Sequence, residues 1–153
     1  MAANHSAGRD TGKLNGFLDR IGGRLTVWEP ERAVIELDVV PLHLNGIVVH
    51  GGVMATLIDT VGARAGVFCT VDGNIRQAMT VSLNVNLVGN VQEGMLIAEA
   101  RVRKAGKTIF VSSCDVHDGN GNLLATGEVV GRYGRGSHLP EGIPAPAGNR
   151  PGT

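Results

Sequence analysis

Aromatic side chains are scarce in this chain, with one Trp, one Tyr and three Phe among 153 residues. It therefore has few large groups with which to cover a broad sheet face. Cysteine is almost as rare: Cys69 and Cys114 stand far apart, with neither a CxxC nor a Cys/His spacing. That argues against a disulfide framework or a zinc site, and it fits a reducing cytoplasm. Charge of one sign is also missing. Fourteen basic side chains balance fourteen acidic ones and are scattered, so no electrostatic footprint for nucleic acid or an anionic membrane is present. Nowhere do about 18 apolar residues run together, and Met1 to Gly12 is polar without the apolar core of a signal peptide. The expectation is a soluble, cytoplasmic protein. Motifs of the GxSxG, GxGxxG and P-loop types are absent, which removes hydrolase, dehydrogenase and nucleotidase readings built on them.

What is present is a chain with an apolar share of 42%, enough for one sizeable core. Residues 1–12 and 135–153 are rich in Gly, Ala, Ser, Asn and Pro without periodicity, so we expect flexible tails around a domain spanning 13–134. Leu14, Phe17, Leu18 and Ile21 form the stripe of a short amphipathic helix ending at Gly22-Gly23. Leu25 to Glu29 and Arg32 to Val39, either side of Pro30, read as a first hairpin. Val53, Met54, Leu57, Ile58, Val61 and Ala65 then fall on a wide helical stripe from about Gly51 to Cys69, the longest helix. The rest reads as strands. Met79, Val81, Leu83, Val85 and Leu87 alternate strictly with polar Thr80, Ser82, Asn84 and Asn86. Strands near Met95 to Arg103, Thr108 to His117 and Leu123 to Arg132 follow, the last after an Asp118-Gly-Asn-Gly-Asn122 turn. This order predicts an α+β fold with an antiparallel sheet packed on one long helix. Its uncovered face points to oligomerisation.

The chemistry concentrates at the start of that helix. A helix N-terminus offers unpaired N–H groups and a partial positive charge, and Gly51 and Gly52 let a ligand approach the backbone closely. Such a site can act as an oxyanion hole for a thioester carbonyl, although a Gly-Gly pair also serves simple tight packing. Asp59 lies in mid-helix, a disfavoured place that calls for a reason: base, nucleophile, or a hydrogen-bonded structural carboxylate. Eight residues at 1.5 Å each separate Gly51 and Asp59 by about 12 Å along the axis, so both cannot touch one thioester carbon. If both act, a two-fold axis near Ala55 must set two such helices antiparallel. Ala55, Gly62, Ala63 and Gly66 are small enough for that approach. His50 immediately before the helix reads as a capping or anchoring residue rather than a proton shuttle. Arg103, Lys104 and Lys107 border a tight turn, solvated singly but able as a group to meet phosphates. Asp118 to Asn122 lacks the glycine and glutamate of a calcium loop and is a turn.

The run Asn45-Gly-Ile-Val-Val-His50-Gly-Gly-Val-Met-Ala-Thr-Leu-Ile-Asp59 resembles the signature of the hotdog-fold acyl-CoA thioesterases of the phenylacetic acid degradation (PaaI-like) type. The strand Thr80 to Leu87, Glu93-Gly94 and Arg103-Lys-Ala-Gly-Lys107 follow the same family order, and the similarity runs from roughly residue 14 to 133. The resemblance implies an antiparallel sheet wrapped around one long helix, dimers with a continuous sheet, and commonly tetramers. It implies Asp59 as base or nucleophile, the Gly51 N–H as oxyanion donor, and Asn45 and His50 as residues that shape and polarise the site. The substrate implied is an aryl or medium-chain acyl-CoA, with no cofactor beyond the coenzyme A of the substrate, and the candidate contacts to it are Gly52, Gly89, Asn90, Arg103, Lys104 and Lys107. Two departures stand out. Gly46 lies four residues before His50 where relatives often have three, and the position expected to hold a water-orienting Ser or Thr is Gly89, followed by Asn90. That second departure leaves a non-catalytic acyl-CoA-binding module as the alternative.

Overall fold

A computed structural model describes residues 16–146. Six strands form one antiparallel sheet: β1 (Gly23–Glu29), β2 (Arg32–Asp38), β4 (Ala78–Leu87), β5 (Met95–Ala105), β6 (Ile109–Asp118) and β7 (Leu123–Tyr133). Their spatial order is β1-β2-β5-β6-β7-β4. The expected first hairpin is present, with Ala33, Ile35 and Leu37 turned into the core. Helix α1 (Phe17–Arg20) keeps only one turn of the predicted stripe, Leu18 being its buried member. Leu14 lies outside the described residues.

Helix α2 (Gly51–Gly66) is cradled by the sheet. Met54, Leu57, Ile58 and Val61 are fully buried in the common core, as the 3.6-residue stripe predicts. The helix ends at Gly66, short of the expected Cys69. Its last carbonyls find side-chain partners: the Trp28 indole N–H donates to Arg64 O at 2.9 Å and the Tyr133 hydroxyl to Gly66 O at 3.2 Å. Groups left open by helix geometry are thus satisfied, and continuation is unnecessary. Gly62 and Gly66 do not serve helix-to-helix approach. A Cβ on Gly62 would stand 2.5 Å from Val129 Cγ2, and one on Gly66 would enter the Phe110 ring, so both bring the helix down onto its own sheet. Ala55 and Ala63 remain on the outer face.

The cleanest alternating strand, β4, lies at a sheet edge. Most of its residues are exposed, including Met79, Val81 and Leu87. Its pairing with β7 shifts between Thr80 and Ser82, a bulge at Val81. Registration with inward-facing Gly131, Val129 and Ala125 places Thr80, Leu83 and Leu87 on the helix side together. Strict alternation would have put Thr80 on the opposite side.

The segment after 134 is packed for part of its length rather than forming a tail from 135. Strand β8 (Ile143–Pro144) pairs with β3 (Asn74–Ile75), and Ser137 is fully buried. Arg76 holds this segment through Nε to Ser137 O at 2.8 Å and Nη2 to His138 O at 3.3 Å. Low apolar content hid it, because backbone carbonyls rather than side chains make these contacts. The predicted tail at 1–12 lies outside the described residues.

Candidate active site

The loop that delivers α2 is pinned at several points. Val49 N–H donates to Val91 O at 2.9 Å, His50 N–H to His43 O at 2.8 Å, and the Asn90 amide to Val49 O at 3.1 Å. His43 is itself buried, accepting from Val40 N–H at Nδ1 and meeting Ile21 O at Nε2. Asn45 closes the turn ahead of the helix: its side-chain oxygen accepts from Ile47 and Val48 N–H, with Gly46 at φ +107° beside it. Asn45 therefore shapes the loop through its own backbone neighbours.

His50 is the N-cap. Its Nδ1 accepts the Gly52 N–H at 2.8 Å, and its carbonyl accepts Val53 N–H at 2.9 Å. An Nδ1 occupied as acceptor makes His50 an anchor of the helix start. Gly52 contributes further structure, its carbonyl accepting from the Thr56 hydroxyl at 2.8 Å. The Gly51 N–H meets no acceptor among the described residues. It stays open to a ligand, on the positive end of the helix.

Two turns further along, half-buried Asp59 accepts a 2.6 Å hydrogen bond at Oδ1 from the hydroxyl of Thr80. No other donor or cation among the described residues meets this carboxylate. Thr80 is the residue that sequence reasoning missed. Its hydroxyl reaches α2 only because of the Val81 bulge, and period-two alternation carries no sign of a bulge. The hydroxyl beside Asp59 thus comes from the start of β4 and not from position 89. Gly89 instead allows close approach to β7, where a Cβ would stand 2.8 Å from Leu123 O, and Asn90 anchors the loop before His50.

Arg103, Lys104 and Lys107 are exposed and form no ion pair among the described residues. They lie at the opposite end of α2 from Gly51: Ala105 pairs with Phe110, whose ring abuts Gly66, whereas Leu87 abuts Gly51. Within one chain the structure does not bring them to the helix N-terminus. Cys114 is no competing nucleophile. Burial, first of all, pushes its thiol up to about 12, so it stays protonated against Ile58 O. Among the described residues no three His, Cys, Asp or Glu side chains gather as a metal site, and no helix is long and apolar enough to cross a membrane.

A single antiparallel sheet curled around one long helix defines the hotdog class of α+β domains, and here the helix opens on a free N–H and carries a carboxylate on its outer face. Comparison with known proteins makes this specific. The family model described as the thioesterase superfamily matches residues 46–125, just over half the chain, including Gly51, Asp59 and Thr80. The chain belongs to this superfamily of hydrolases. It is 34% identical over 80 residues to the Saccharolobus solfataricus protein named "putative esterase SSO1253", covering 52% of this chain and 51% of that one. The chain thus spans about half the length of that relative. A second protein of the same organism, "putative esterase SSO2140", is 31% identical over 98 residues, covering 63% and 68% of the two chains. Among solved structures, zebra fish thioesterase superfamily member 2 superposes with a TM-score of 0.68 at 26% identity, over 79% of this chain and 88% of that one.

Proposed function

We propose that the protein hydrolyses acyl-CoA thioesters, of the aryl or medium-chain kind handled by PaaI-like enzymes, to the free acid and coenzyme A. The observation that carries this reading is the Thr80–Asp59 hydrogen bond on the same helix that opens with an unpaired Gly51 N–H. A carboxylate held by a hydroxyl is oriented for one task, and an open helix N–H suits the oxygen that becomes negative. As a base, Asp59 takes a proton from water while the hydroxide attacks the carbonyl carbon, and the C–S bond then breaks with CoA leaving as the thiol. As a nucleophile it forms an anhydride that water opens. Thr80 fixes the carboxylate in either case, His50 holds Gly51 in place, and Asn45 shapes the loop.

The site is composite in this reading. About 12 Å of helix axis separates Gly51 from Asp59, so a homodimer with antiparallel α2 helices supplies one residue from each chain. The open β4 edge, ten residues long with Met79, Val81, Leu83 and Leu87 exposed, suits pairing with a second copy and further association into a tetramer. Arg103, Lys104 and Lys107 then serve CoA phosphates at a site completed by the partner. No cofactor or nucleic acid takes part, and the setting is the cytoplasm. Thr80 supplies the hydroxyl whose apparent lack favoured a binding-only module. Thiol release from a panel of aryl and aliphatic acyl-CoAs tests the assignment: Asp59→Ala, still folded, should lose turnover, and an unaltered rate would sink it.

A further inference from the structure

A cleft of about 520 Å³ opens directly beside the proposed reaction centre and is not used by it. Thr60 and Ala63 line it from α2, and Ala78 and Met79 from the start of β4. Thr60 follows Asp59 and Met79 precedes Thr80 in sequence, so the cleft adjoins the proposed site on both elements. Two arginines face it, Arg64 and Arg76. The Arg76 guanidinium donates to the carbonyls of Phe68, Ser137 and His138 and lies 5.1 Å from the Tyr133 ring centroid. It is rigid, charged and without a carboxylate partner among the described residues. Arg64 is different. Its guanidinium stacks 5.6 Å from the Trp28 ring centroid and makes no hydrogen bond or ion pair with any described residue. Burial pushes its pKa down, and no neighbouring carboxylate offsets this.

A half-buried guanidinium without a counter-ion carries a desolvation cost, and a second fixed cation in the same cleft raises that cost. An anion in the cleft would relieve both, using the Arg64 donors that no described residue occupies. Resting on the hydrolase reading above, we propose that this cleft is the acyl subsite and that it selects acyl groups ending in a carboxylate, with Arg64 as the specificity-determining residue. Arg64 follows Asp59 by five residues, about 7.5 Å along the helix, a span suited to a short dicarboxylic chain whose other end is the thioester. The apolar groups Ala63, Val67 and Ala78 line the cleft around it.

The test compares adipyl-CoA with hexanoyl-CoA, equal in chain length and differing in the terminal carboxylate. A charge-assisted contact to half-buried Arg64 predicts a kcat/KM preference for adipyl-CoA of about ten- to a hundredfold. Arg64→Gln should erase that preference, chiefly through KM, while leaving hexanoyl-CoA turnover in place, and Arg64→Lys should retain part of it. Ala63→Asp keeps Arg64 and its stacking on Trp28 but supplies an internal counter-ion, and should erase the preference as well. Wild-type preference for hexanoyl-CoA would overturn the proposal. So would an equal loss for both substrates in Arg64→Gln, the behaviour of a contact to a CoA phosphate. Thermal shift provides a readout without turnover: adipate should raise the melting temperature of the wild type and not of Arg64→Gln, and a shift with inorganic phosphate alone would refute the carboxylate subsite. If no thioester is cleaved yet adipate stabilises through Arg64, the subsite stands and the hydrolase reading fails.

Discussion

Replacing Gly51 by proline removes one hydrogen atom that the proposed mechanism needs and little else. Gly51 is the first residue of α2, where proline is favoured, and His50 before it has the extended backbone that a following proline prefers, at φ −62° and ψ 132°. The added ring atoms meet the end of the Leu87 side chain, 2.5 Å from where a Cβ would sit, and that side chain can rotate away. The fold should therefore survive while the oxyanion donor is lost, lowering kcat by about a hundred- to a thousandfold. Asp59→Asn should be similarly inactive through the other half of the site. The two inactive proteins, mixed, partly unfolded together and refolded, would form mixed dimers. In an antiparallel pair one of the two sites then has both an intact Gly51 and an intact Asp59, while the other has neither. With random pairing, half the dimers are mixed and each has one working site, so about one quarter of wild-type activity should return. Thiol release measured against the total chain concentration reads this directly. If the mixture stays inactive although mass spectrometry shows mixed dimers, the two residues act from one chain and the geometry proposed here is wrong.

Two other outcomes follow from packing and charge. Gly66→Ala should destabilise by about 1–3 kcal/mol in chemical denaturation, although an open helix position would gain nearly 1 kcal/mol from the same change, because the new methyl enters the buried Phe110 ring. A higher midpoint would show that the ring can yield. Glu99 is held below its ordinary carboxylate value chiefly by a hydrogen bond from Arg32 at 3.0 Å, with Arg101 at 2.8 Å adding to it. A depressed carboxylate stabilises the fold above its unfolded value and loses that contribution as pH falls through the folded one. Stability should therefore drop below about pH 4.5, by under about 1 kcal/mol for so exposed a group, and Arg32→Met should flatten that part of the acid titration.

Local pattern carried much of this architecture. The stripe from Val53 to Ala65 and the cap-like His50-Gly51-Gly52 are short-range features, and each corresponds to one helical geometry. Placement of β4 was not legible, since alternation states a strand's period and not its neighbours: the chain passes the helix and pairs β4 with β7, far along the sequence. The role of Gly62 and Gly66 was half legible. Their size announced close approach, but whether to a second helix or to the sheet beneath depended on Val129 and Phe110, which come much later in the chain. Thr80 was hidden for a third reason, because its side is set by a pairing irregularity rather than by its own residue type.

That irregularity at Val81 bears on how such a site can arise and be lost. A regular strand has a fixed parity: residues facing the helix are all odd or all even in number, and a polar group among them displaces an apolar one. With one residue left over, β4 has both parities, even for Ala78 and Thr80 and odd from Leu83 to Leu87. Removing Val81 would leave both sets on the side they now occupy, while absorbing it into regular pairing would turn one set outward. In this strand, length variation is therefore as direct a route to changing what lies beside Asp59 as substitution is, and descent from a common ancestor can preserve the hydroxyl while moving its number.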